Sequence, residues 1–198
     1  VVNHYSFKDR DGQTSLPLDW KKDLIPTNIE TMGELDEVEE QNIASALVWL
    51  EKRTNAAVEN IFWRKLHGKL LGNVWRWAGK IRIHPLQNED FFQPGEIWPG
   101  LKQLEDDLKF WADSSIDELE VAAMFHERLL TIHPFANGNG RFSRIVVAHY
   151  CARKELKRPT WGQYLLREPQ QRRATYIAAV MKARHEKNYT DLIHFMCS

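Results

Sequence analysis

The residues best suited to chemistry are His133-Pro134-Phe135-Ala136-Asn137-Gly138-Asn139-Gly140-Arg141-Phe142-Ser143-Arg144. An imidazole that is neutral at physiological pH accepts a proton. Gly138 and Gly140 lack a Cβ, so their amides can approach an anion closely and their backbone can take positive φ. Arg141 and Arg144 carry permanent charges whose planar donors match phosphate oxygens. A helix starting at about 139–141 adds unpaired amides and the positive end of its dipole, which together make an anion site. In that helix Arg141 and Arg144, three residues apart, share a face. The field of both arginines and of the helix start is expected to keep His133 uncharged, and general-base help is worth roughly 10²–10⁴ in rate. Taken alone, each feature is better read as a glycine turn, a pair of surface arginines, or a helix-end histidine bonded to a carbonyl. Their combination favours an anion held beside a proton acceptor.

Helices must position this loop. An apolar stripe (Val38, Ile43, Ala46, Leu47, Leu50) predicts a helix over 34–53, with acidic residues at its start and basic ones at its end. A second is predicted over 60–71 and closed by Gly72. The alternation Ile81-Arg82-Ile83 reads as a strand, and Pro85, Pro94, Gly95, Pro99 and Gly100 as breakers, so residues 81–98 are expected to form a β-hairpin flap. Helical periodicity resumes over 101–111. Ser115-Ile116-Asp117-Glu118 has capping-box form and opens a helix to about Ile132. Further helices are predicted over 142–152, 169–182 and 191–197. The fold class is all-α with a hairpin flap over the motif loop. The expected organisation is a single domain over 1–198, with an irregular arm over 1–30, a core over 60–155 and C-terminal helices over 156–198.

Composition narrows the function classes. The 198 residues hold 27 basic and 27 acidic side chains. That balance argues against a partner held by phosphate neutralisation, so no nucleic acid is expected. No apolar run approaches the ~18 residues that span a bilayer. No membrane association is expected, and the two isolated cysteines, Cys151 and Cys197, suit a reducing, cytoplasmic setting. There is no P-loop, and the histidines lack the spacing of a zinc hydrolase.

The motif resembles the signature of the Fic-domain family, and within it the branch called mobile mystery protein B. Val74-Trp75-Arg76-Trp77-Ala78-Gly79-Lys80-Ile81-Arg82 resembles the family segment leading into its active-site flap, and the His126-to-Ile132 lead-in is also similar. The resemblance covers roughly residues 60–155. It implies transfer of AMP from ATP to a Ser, Thr or Tyr hydroxyl of a protein substrate. His133 is the implied base. Asn137, Gly138, Asn139, Gly140, Arg141 and Arg144 are the implied phosphate ligands, and Ile81, Arg82 and Ile83 the implied target-binding flap.

Two departures qualify it. The family's acidic, Mg²⁺-binding position is Asn137 here, a weak metal candidate because an amide lacks the full negative charge; it is equally a turn residue and helix cap. The inhibitory pattern S/T-x-x-x-E-G/N has no intact copy, which points to a separate antitoxin-like inhibitor and a toxin–antitoxin setting. Transfer of another nucleotide or of phosphate from the same site, and a weakly catalytic regulatory binding module, stay open.

Overall fold

The structure is a computed structural model that describes residues 21–54, 56–86, 89–164 and 168–198; most of the expected N-terminal arm lies outside the described residues. Seven helices occur among them: α1 (Met32–Glu51), α2 (Asn60–Leu71), α3 (Pro94–Ala112), α4 (Glu118–Ile132), α5 (Asn139–Arg153), α6 (Pro169–Glu186) and α7 (Thr190–Cys197). The all-α expectation holds.

The helix starts follow local rules. Thr31 and Glu34 form a reciprocal capping box at α1. Asp117, rather than Ser115, caps α4 by accepting from the amides of Leu119 and Glu120. Helix α5 is the spine of the core. Phe142, Ile145, Val146, Val147 and Cys151 are all buried, and α5 packs against α4 and α2. Around it α1 packs on α2, α3 on α4, and α7 on α6.

The expected β-hairpin is not found: no strand occurs among the described residues, only an isolated bridge between Leu24 and Trp75. Residues 94–98 are helical. Pro94 sits in the first turn, where its missing N–H costs nothing, and Gln93 and Glu96 close a capping box over it. Pro99 lies inside α3 without ending it. Gly100 is needed where it stands, because a Cβ there would lie 2.7 Å from the Phe92 ring. The other described residues of the flap, 81–86 and 89–93, are irregular, and a side chain holds them in place of a strand ladder. Arg82, 6% exposed, donates to the carbonyls of His133 (2.7 Å), His84 (3.0 Å) and Phe92.

Several histidines are buried uncharged. Burial pushes His67 and His126 down to about 3, and His133 to about 4, from an ordinary 6.5. The unfolded chain therefore binds protons at higher pH than the folded one. The stability these groups carry is complete above about pH 6.5 and is lost as pH falls toward 4 and then 3, by up to about 1.4 kcal/mol per group per pH unit. Urea midpoints are expected to be clearly lower at pH 5 than at pH 7.5. Equal midpoints would contradict the neutral assignment.

Candidate active site

Helix α4 ends at His133, whose left-handed backbone (φ 47°, ψ 60°) turns the chain into the loop. Its Nδ1 lies 3.1 Å from the Leu130 carbonyl. A carbonyl only accepts, so Nδ1 carries the proton and the Nε2 lone pair is left to receive another. The ring stacks on Phe91 of the flap (3.9 Å, 26°). Burial is the main reason His133 stays neutral, followed by the charges of Arg82 and Arg184. The expected field of Arg141 and Arg144 is not the cause. The flap cover is tied down from α6. Arg184 reaches Asp90 (3.5 Å) and Glu127 (3.3 Å), and its guanidinium lies 5.6 Å from the Phe91 ring centre.

Most of the loop's backbone is bonded from the side. The Arg82 amide donates to the Pro134 carbonyl (2.9 Å). Asn139 brackets Phe135, its Oδ1 accepting the Phe135 amide (3.0 Å) and its Nδ2 donating to the Phe135 carbonyl (2.8 Å). Its side chain thus closes the loop. Phe135 is fully buried, stacked on His67 (3.7 Å) and edge-on to Phe142. The Asn137 carbonyl bonds His67 Nε2 (3.0 Å), and Asn137 Oδ1 accepts the Gly138 amide (2.6 Å).

The two glycines differ. Gly138 is buried with φ 76°, and a Cβ there would lie 2.5 Å from Leu71 Cδ1 and 3.2 Å from His67 Nε2. Packing and backbone geometry both require glycine. At Gly140 a Cβ would meet nothing within 4 Å, and φ is not positive. Neither packing nor backbone conformation demands a glycine there. The ladder of α5 begins with the Phe142 amide on the Gly138 carbonyl (2.9 Å). The amides of Asn139, Gly140 and Arg141 therefore have no intrahelical acceptor.

The two arginines engage different helices. Arg141 pairs with Glu39 of α1, which is 2% exposed and also accepts the Trp75 indole N–H (2.6 Å). Arg144 is buried with its guanidinium 5.6 Å from the Tyr176 ring centre, and burial lowers it to about 10, so it stays charged at neutral pH. Glu39 is thus a glutamate of this chain that faces the first motif arginine, outside any S/T-x-x-x-E-G/N pattern.

In the flap, Arg82 is a buried clamp, Ile81 is half-buried and Ile83 is 78% exposed. For magnesium, Asn137 is the one nominated ligand. Its amide oxygen is already engaged by Gly138, and no group of three or more His, Cys, Asp or Glu could hold a metal among the described residues. The residues present do not fit a protein-held Mg²⁺, which normally rests on at least one carboxylate. Glu39 and His67 were missed from sequence because neither belongs to a recognisable spacing.

Residues 60–151 match the sequence profile of the Fic/DOC family. Protein adenylyltransferase fic-1 of Caenorhabditis elegans is 34% identical over 86 residues, 42% of this chain and 17% of that protein. The chain thus spans only about a sixth of the curated relatives it matches. Among solved structures, the N-terminal FIC domain of Bep8 from Bartonella sp. 1-1C superposes with a TM-score of 0.67 at 16% identity, covering 86% of this chain and 88% of that one. BepC from Bartonella tribocorum, with bound AMPPNP, gives 0.61 at 18% identity, covering 83% and 85%. The helical frame is shared with those proteins, and residues 60–151, which carry the motif loop, match the Fic/DOC family.

Proposed function

We propose that this loop transfers AMP from ATP to a hydroxyl side chain of a protein. The observation that carries the reading is what the loop leaves over. Partners hold the backbone at His133, Pro134, Phe135, Asn137 and Gly138, and the amides of Asn139, Gly140 and Arg141 have no intrahelical acceptor at a position where Gly140 opens onto free space. His133 Nε2 is the lone pair on the same loop. The target oxygen attacks the α-phosphorus, the bond from that phosphorus to the bridging oxygen breaks, and pyrophosphate leaves. The hydroxyl proton passes to His133 Nε2. Positioning and charge stabilisation are what such a transfer needs most. The helix-start amides receive phosphate oxygens, Arg144 supplies a fixed buried charge, and Arg141 meets the triphosphate in competition with Glu39. The likeness to adenylyltransferases of worms and flies supports this chemistry, as does the nucleotide analogue bound to BepC. Exposed Ile83 at the flap is the contact offered to an extended target segment.

Incubation with ATP labelled at the α-position is expected to label a protein band, and Gly140→Ala to lose that label while melting at or above the wild-type temperature. Label from the γ-position alone would assign a kinase reaction instead. No label from either position, with target binding retained, would assign a binding module.

The rate of transfer is expected to be flat near neutral pH and to fall in acid with an apparent pKa near 4, the value of His133. In Phe91→Ala, which uncovers the ring, that limb moves up toward 6.5. An unchanged limb would show that Phe91 does not set the protonation of His133.

Asn137→Asp is expected to make the rate respond more strongly to Mg²⁺. Unchanged rate and metal dependence would remove position 137 from the metal question.

A further inference from the structure

His67 sits on α2 with no exposed surface, and both of its ring nitrogens are bonded to backbone. The Gly79 amide donates to Nδ1 (2.9 Å), so Nδ1 carries the lone pair. Nε2 must then carry the hydrogen and donate to the Asn137 carbonyl (3.0 Å). The tautomer is fixed from both sides. Protonation would place an N–H against the N–H of Gly79, which agrees with a pKa pushed down to about 3 by burial. The ring also lies flat on Phe135 (3.7 Å, 17°) and floors the left-handed Gly138 turn.

We infer that His67 is a positioning residue for the phosphate-binding turn. By holding the Asn137 carbonyl it fixes the plane of the peptide joining Asn137 to Gly138. That sets where the next amides, of Asn139, Gly140 and Arg141, are aimed. Filling space is not enough for this role. Phenylalanine would fill the site and stack on Phe135, but it offers no donor to Asn137 and no acceptor to Gly79. A neutral imidazole presents a donor and an acceptor on separate edges of one rigid ring, and that ties the turn around Gly79 to the motif loop. The ligand named here rests on the function proposed above; the bridge itself does not.

Three variants of the full chain test it: wild type, His67→Phe, and His67→Gln, whose amide can return a donor to the Asn137 carbonyl. The probe is a non-hydrolysable ATP analogue titrated by calorimetry. The loop is followed by the amide resonances of Gly138, Asn139 and Gly140. His67→Phe is expected to shift those resonances and weaken analogue binding by about tenfold, the loss of one buried hydrogen bond. His67→Gln is expected to return the resonances toward wild type and recover most of the affinity, with KM for ATP restored more than kcat. The ring nitrogens of wild-type His67 are expected to report the Nε2–H tautomer unchanged between pH 8 and about 5.

If His67→Phe does not fold, the glutamine variant and the wild-type tautomer decide the question. A ring with hydrogen on Nδ1, or one that titrates near its ordinary value, overturns the inference. So does a folded His67→Gln no closer to wild type than His67→Phe. If wild type binds no analogue, the proposed function fails, while the loop resonances still judge His67.

Discussion

A loop that turns inside a protein core must satisfy its backbone without water, because an unpaired buried amide or carbonyl costs as much as a lost hydrogen bond. The rest of this structure depends on how that constraint is met between α4 and α5. The His133 carbonyl takes Arg82, Phe135 takes both ends of the Asn139 amide, and the Asn137 carbonyl takes His67. Each partner is itself buried. The loop is thus fixed largely by polar side chains, and the first amides of α5 have no intrahelical acceptor, so an anion can use them.

The same economy governs the charges. The three histidines around the site are uncharged because burial disfavours imidazolium. The permanent charges are guanidiniums, which keep theirs even when buried, as Arg144 does. Glu39 is the internal counter-ion. It neutralises Arg141 of α5 from α1 and holds Trp75 with its other oxygen. A buried pair of this kind adds little net stability, yet removing one member strands the other. It therefore fixes how α1 sits on the motif and sets the charge that an arriving phosphate meets.

Much of the frame was legible in the sequence because it is written locally. Helix α2 matched its predicted limits, and α5 and α7 came close, since caps, glycines and apolar periodicity lie within a few residues of what they specify. The motif loop was legible for the same reason. The flap was not. The alternation Ile81-Arg82-Ile83 has the period of a strand, but Arg82 turns inward as a clamp. Pro94 reads as a breaker in isolation and serves as a first-turn residue once Gln93 caps it. The contacts that fix the site were the least legible. Arg141 meets Glu39 across 102 residues, His67 meets Asn137 across 70, and Arg82 meets His133 across 51. A glutamate on an amphipathic helix and a lone histidine on a core face carry no local pattern that announces such a partner.

The most direct test of a loop held from the side with its helix start left open is a crystal structure with a non-hydrolysable ATP analogue. Phosphate oxygens are predicted within hydrogen-bonding distance of the Gly140 and Arg141 amides, with the contacts of His67 to Asn137 and Arg82 to His133 intact. Phosphates bound elsewhere, or bound at α5 only after those two contacts break, would contradict the account.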